Sequence, residues 1–387
     1  MLNIITRPPR NATTLVASFA YFAIVQAASA QVPVISLGPR PFSGGYVSLS
    51  GDGSTVINTR LNATSVAGWY HRDGVWRTIQ APAGSLAAVE SVTKDGVHFI
   101  GRIAGTQQDT TIPAVWWPET GWIPVSSDPR VEISFGGSSE HGLELLATIR
   151  HTDFFERTRF YFAQGQYVVD NRPGRSVSPF SVVYDQDLSA WSGMSSDGSR
   201  ALEFNGSFLQ DGISLVYPSS ESINVGRPNG LIPFGGTEES SGRISGNGRV
   251  VYGDYSYNGP QMGGGYINVS GAFRWEQDVG NVFLSYPPSG DVIKISFDGN
   301  LVLTSTGIYD YLAQTNQPTL TYLQDNGADF TGWSSITIAD ISSDFRTFVG
   351  TGTFAGSTQV WKVTIPSTPT LSVLVVVVTA ACRRRRA

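Results

Sequence analysis

One cysteine, four histidines and a charged fraction of only 15% set the first limits on this 387-residue chain. Cys382 stands alone near the end, so an intrachain disulfide and a cysteine zinc site are both excluded. His71, His98, His141 and His151 fall in no H-x-x-x-H spacing, which removes the zinc-helix pattern. No G-x-S-x-G elbow, P-loop or dinucleotide fingerprint occurs in the strand–turn–helix context that each needs. Gly235-Gly236 and Gly263-Gly264-Gly265 precede no helix pattern, and Asp185-Gln186-Asp187 lacks the continuation and terminal Glu of a calcium loop. No catalytic residue, cofactor site or metal ligand can therefore be assigned from motifs.

Positive charge is scarce as well, and it is unevenly placed. Arg7, Arg10 and Arg383 to Arg386 lie in two terminal segments without acids, which leaves 20 basic against 31 acidic residues between them. An acidic body excludes nucleic acid as the expected partner, because neutralising phosphates needs a basic face. What the chain does have is 43 glycines, many Thr, Val and aromatic residues, and an apolar fraction of 41%. That profile suits many short strands joined by tight turns around a packed core.

The two ends read as addresses. Residues 1–30 combine Arg7 and Arg10 with a largely apolar run from Leu15 to Ala27 and the small-x-small site Ala28-Ser29-Ala30, the pattern of a secretory signal peptide. Cleavage would leave Gln31 first. Residues 366–387 run from Pro366-Ser367-Thr368-Pro369 through the apolar Leu371–Cys382 into four arginines. Twelve residues make a helix of about 18 Å, short against a hydrocarbon core of about 30 Å. The arginines would stay cytoplasmic and orient the body outside.

Between the ends, residues 31–365 repeat one motif. Ser50-Gly51-Asp52-Gly53, Thr93-Lys94-Asp95-Gly96, Ser195-Ser196-Asp197-Gly198, Ser245-Gly246-Asn247-Gly248 and Ser296-Phe297-Asp298-Gly299 are clear copies. Ser139–Gly142 and Ser342–Phe345 are degenerate ones. Asp or Asn bonds its own backbone in such a turn, and Gly takes a positive φ. The closing positions 53, 96, 142, 198, 248, 299 and 345 are 43 to 56 residues apart, a period that predicts propeller blades. In the fifth unit, Gly242–Ile244, Val250–Gly253, Ala272–Trp275 and Asn281–Leu284 supply four strands. The expected fold is all-β, a seven-bladed β-propeller with four-stranded antiparallel blades. Its last unit stops at a third strand ending near Thr364, while Val32–Leu37 begins the mature chain without a partner. That strand is expected to close the ring and remove two sheet edges.

The S-x-D-G turn followed by a V-V-G strand and an A-F-R-W strand resembles the HAF repeat of bacterial extracellular proteins. The residues that carry it best are Ile244–Gly253 with Ala272–Trp275, and Val92–Gly101 with Ala114–Trp117. The tail resembles a PEP-CTERM sorting signal, although Ser-Thr-Pro-Thr stands in place of Pro-Glu-Pro. The two resemblances imply an exported protein of the cell envelope, outer surface or extracellular matrix of a Gram-negative-type bacterium. They also imply handling by exosortase-type machinery and membrane contact only through the tail, and they bring no catalytic residues.

Function is expected on the face opposite the turns, where long loops collect. Asp254–Gly271 offers Tyr255, Tyr257, Met262 and Tyr266; Asp170–Leu188 offers Arg172, Arg175, Asp185 and Asp187; Gly226–Ser241 offers Glu238 and Glu239. The leading expectation is a binding or surface-scaffold module for a glycan or surface-protein ligand. The alternative is a carbohydrate-active propeller enzyme, a glycoside hydrolase or lyase, using loop carboxylates and tyrosines.

Overall fold

The computed structural model describes residues 31–366 except for 44, 60–64, 105–110, 126–131, 139–140, 143, 151–154, 170–189, 206–211, 217–221, 226–236, 261–265 and 285–291. The expected signal peptide and nearly all of the sorting tail lie outside these residues. Among the described residues, no helix is long and apolar enough to cross a membrane.

The described residues form seven four-stranded antiparallel sheets, six of them meanders of consecutive strands. The first sheet, for example, runs through Val47–Leu49, Val56–Thr59, Val66–Arg72 and Val75–Gln80. The seventh sheet is composite. Trp333–Ile341, Thr347–Phe354 and Ser357–Thr364 supply three strands, and Ile35–Pro39 adds the fourth by pairing antiparallel with Ser357–Thr364. The expected N-terminal partner strand is thus present, at Ile35–Pro39 in place of Val32–Leu37. Val32–Pro33 instead pairs in parallel with Ala328–Asp329.

A tryptophan hydrogen bond identifies the role of the N-terminal strand. Trp122 Nε1, on the outer strand of the second sheet, donates to the Gln80 carbonyl of the first at 2.7 Å. Trp76 Nε1, at the same position of the first sheet, donates to the Leu37 carbonyl at 2.7 Å. Leu37 therefore stands to the seventh sheet as Gln80 stands to the first.

Second strands are deeply buried in several sheets. Val56 and Ile57, Val250 and Val251, and Phe348 and Val349 are all at most 2% exposed. Consecutive apolar residues suit a strand covered on both faces, and each such side chain contributes about 1.5–3 kcal/mol on burial. Third-strand aromatics join neighbouring sheets. Tyr70 of the first meets Phe99 of the second at 4.9 Å, and Trp117 of the second stacks on Phe162 of the third at 4.3 Å.

The recurrent turns are wider and more connected than tight hairpins. The Ser195 amide donates to the Arg200 carbonyl at 2.9 Å, and the Gly198 amide donates back to the Ser195 carbonyl at 3.0 Å. The Ser195 hydroxyl accepts from the Arg200 amide at 3.0 Å and donates to Asp197 at 2.7 Å. Asp197 also accepts from the Ser199 amide at 3.0 Å. Gly198 has φ +71°, as the turn requires. In the seventh turn Phe345 holds φ +58° and is 1% exposed. Its ring joins the core of Leu303, Phe348 and Trp361, and this burial offsets a left-handed cost of about 1–2 kcal/mol.

The turns also bond to each other. Ser343 N donates to Gly51 O at 2.7 Å, Asp52 N to Lys94 O at 2.7 Å, Ser196 N to Gly246 O at 2.8 Å, Asn247 N to Phe297 O at 3.0 Å and Phe297 N to Ser343 O at 2.7 Å. These bonds link turns one to two, four to five, five to six, six to seven, and seven back to one. Just before the turns, five first strands carry a bulge at one position: Glu90, Gly136, Ser192, Ile293 and Ala339 are the extra residues.

Two expectations about loops are corrected. Asp254–Gly271 is largely a long hairpin, since Val250–Pro260 pairs with Tyr266–Glu276 from Val250↔Glu276 to Pro260↔Tyr266. Alternating tyrosines and β-branched residues sustain the ladder through the glycines. Glu238 and Glu239 lie on Thr237–Ile244, opposite Tyr257 and Ser256. The chain also contains a helix, α1 (Thr319–Asp325), between the sixth and seventh sheets. Leu320 and Leu323 share one face of it and join the core.

Candidate functional site

Among the described residues, the turn face is crossed by contacts between turns. The second residue of the first turn faces its neighbours: a Cβ on Gly51 would lie 2.8 Å from Ser343 Oγ and 2.9 Å from Lys94 Cβ. The Lys94 ammonium reaches past the third turn to the fourth, donating to Met194 O at 3.1 Å and to Ser196 Oγ at 3.2 Å. Just behind the turns, Lys294 of the sixth sheet pairs with Asp340 of the seventh at 3.0 Å. Asp340 also accepts from Ser48 Oγ at 2.7 Å and Leu49 N at 2.8 Å, both in the first sheet. This end is occupied by structural bonds.

The opposite end carries a pocket of about 840 Å³. Trp333 and Ile336 line it from the beginning of a strand whose other end, Ile341, enters the seventh turn. Eight residue steps separate Trp333 from Ile341, about 26 Å along a strand. Most of the remaining wall comes from the connection after α1, where Gly327 takes φ +91° and turns the chain back.

Each lining side chain is positioned locally. Phe330 is 8% exposed and meets Trp361 edge-on at 5.3 Å, so the pocket floor rests on the third-strand tryptophan of the seventh sheet. Trp333 packs on Phe354 at 4.9 Å. Gly332, at φ +84°, permits this approach, since a Cβ there would lie 3.1 Å from the Phe354 ring. Asp329 Oδ1 accepts from the Thr331 amide at 2.9 Å and the Thr331 hydroxyl at 2.6 Å. Those two bonds hold its carboxyl below the usual carboxylate range. Gln324 enters from α1 and Gln31 from the residue preceding Val32–Pro33.

The residues singled out from the sequence are dispersed. Tyr255, Tyr257 and Tyr266 lie on the long hairpin of the fifth sheet. Met262, Arg172, Arg175, Asp185, Asp187 and His151 lie outside the described residues. His98 is 8% exposed with its ring 3.9 Å from Trp117, and burial lowers its pKa. His141 Nδ1 lies 2.9 Å from Asp95 Oδ2, and His71 packs edge-on to Trp76 at 5.3 Å. Among the described residues, no group of three or more His, Cys, Asp or Glu side chains could hold a metal. The pocket residues Asp329 to Trp333 escaped sequence reasoning. Their available signal was two aromatics around a glycine, beside an Asp-x-Thr turn, in a connection between repeats.

No protein-family model matches the sequence, and no curated protein does. Solved structures do. The chain is similar to an oligogalacturonate lyase in complex with manganese, with a TM-score of 0.52 at 11% identity, covering 88% of this chain and 98% of that one. It is similar to an oligogalacturonate lyase from Vibrio parahaemolyticus, with a TM-score of 0.51 at 10% identity over 87% and 94% of the two chains. At such identity the likeness concerns the fold. The class defined by the sheets and the comparisons is an all-β, propeller-like protein.

Proposed function

We propose that this chain is an exported seven-bladed β-propeller acting as a binding or surface-scaffold module. Its ring is closed by the N-terminal strand, its leader is removed after Ala30, and its tail directs it to the cell envelope through exosortase-type sorting. The observation that carries this reading is the division of the two faces. Backbone bonds link turns four to seven, seven to one and one to two, and Lys94 carries the second turn to the fourth, while the described pocket lies at the far end of the seventh sheet. A rigid scaffold with one face consumed by structure leaves the other for recognition.

Binding is favoured over glycoside hydrolysis because the pocket wall holds one carboxylate, Asp329, among the described residues. Glycoside hydrolysis ordinarily uses two. The test is a glycan array and a surface-protein binding screen on the exported protein, with a hydrolase and lyase panel run in parallel. Saturable binding without turnover is expected; turnover of any glycan would replace this reading with the enzymatic one.

A further inference from the structure

We infer that the pocket at Asp329, Phe330 and Trp333 is a binding site for neutral oligosaccharide, an inference that rests on the binding-module reading above. The chemistry of the wall selects this class. Phe330, Trp333 and Ile336 provide apolar surface in the lining, and Asp329, Thr331, Gln31 and Gln324 provide polar groups. A sugar ring needs both: its C–H face is covered by an aromatic or apolar surface, and its adjacent hydroxyls pair with groups that donate and accept. Thr331 occupies Asp329 Oδ1 and thereby fixes the carboxylate plane. Oδ2 then remains an acceptor in a defined direction, while the two glutamine amides supply donors and acceptors nearby. A cationic ligand would use only the acceptors and leave the amide donors without a role.

Charge narrows the class further. No Lys, Arg or His side chain lines the pocket among the described residues, and its one ionisable side chain is an acid. A uronate or phosphorylated chain would bring its own negative charge against Asp329, with only the Gln31 α-ammonium left by leader removal to serve both anions. The site is therefore suited to uncharged sugars, unlike an oligogalacturonate. Its volume of about 840 Å³ lies in the range of small-molecule sites, about 300–1,000 Å³. Gln31 gives the site a further property. The segment that completes the seventh sheet also forms part of the pocket wall, so pocket and sheet closure form together.

The experiment is titration calorimetry on the full exported protein with cellotetraose, mannotetraose, galactotetraose, trigalacturonate and spermidine. At least one neutral tetrasaccharide is expected to bind, with trigalacturonate and spermidine at least roughly tenfold weaker. Asp329→Asn keeps an oxygen for Thr331 and replaces the outward acceptor with a donor, so it should weaken neutral-sugar binding roughly tenfold or more. Gln324→Ala, on the exposed side of α1, should weaken it by a smaller factor. Trp333→Ala should abolish it, and because it also removes packing on Phe354, the Asp329 and Gln324 variants decide the matter if it fails to fold. A neutral sugar bound equally by wild type and Asp329→Asn would overturn the site while leaving the binding-module reading standing. Trigalacturonate or spermidine binding best would overturn the ligand class. No binding of any probe would overturn the inference; the binding-module reading falls only if the array and surface-protein screen are empty too.

Discussion

Replacing Gly299 by alanine tests whether the turns are local hairpins or parts of one interlocked ring. Gly299 closes the sixth turn at φ +80°. A Cβ there would lie 2.5 Å from Val250 Cβ and 2.6 and 2.9 Å from its methyl groups, in the neighbouring repeat. Val250 is 2% exposed and starts the second strand of the fifth sheet, so it has little room to retreat. The left-handed conformation should cost about 1–2 kcal/mol, and forcing a methyl into a packed contact about 1–3 more. Gly280 is the internal control. It has φ +86°, yet an added methyl there would meet nothing within 4 Å, so Gly280→Ala should cost only about 1–2 kcal/mol. For a body of about 335 residues, an unfolding entropy of about 2.1 cal/mol/K per residue makes 1 kcal/mol worth about 1.4 °C. The expected falls in Tm are therefore about 3–7 °C for Gly299→Ala and about 1.5–3 °C for Gly280→Ala. Urea unfolding of both variants beside wild type measures the difference directly. Equal destabilisation would mean that the turns do not bear on one another, and the interlocked ring would have to be abandoned.

Three further outcomes are expected. Deleting residues 31–39 removes the outer strand of the seventh sheet, the acceptor for Trp76 and a wall of the pocket. Tm should fall by more than about 5 °C, with aggregation through the exposed edge; unchanged melting and light scattering would refute closure by this strand. Asp340→Ala removes the counter-ion of Lys294, whose ammonium keeps its bond to the Ile341 carbonyl, and strands the Leu49 amide, and should cost about 2–3 kcal/mol in urea unfolding after allowing for partial exposure. In Asp95, Asp197 and Asp298, burial would raise the carboxyl pKa, but hydrogen bonds from Thr93, Ser195 and Ser296 and from nearby amides outweigh it and lower the value. A depressed folded pKa contributes stability that is complete above the unfolded value, about 3.9, and is lost as pH falls through the folded one. Asn at all three positions should therefore flatten the acid limb of a stability–pH curve below about pH 4. A steep limb that survives the triple variant would place acid sensitivity elsewhere.

Legibility followed how local each feature is. The glycine in the turn could be read from the sequence because φ is a property of one residue, and Gly53, Gly96, Gly142, Gly198, Gly248 and Gly299 all hold positive φ. The serine before it was visible but its work was not: its hydroxyl spans five residues and is satisfied only once the turn has closed. Loop boundaries were misjudged where glycines interrupt a strand, as at Gly253 and Gly259, because pairing with Tyr266–Glu276 overrides local propensity.

By itself, then, the sequence determined the all-β class, the number of repeats and the unpaired strand at each end, since each follows from period and composition. The tertiary structure decided which surfaces meet. Lys94 says nothing in sequence about Met194, a hundred residues away, and Glu90, Gly136, Ser192, Ile293 and Ala339 share no chemistry that announces a common bulge. The pocket belongs to the same category. Gln31 and Trp333 are joined because the N-terminal segment pairs with Ala328–Asp329 and completes a C-terminal sheet, and that proximity is set by the closing of the chain rather than by either residue's own preference.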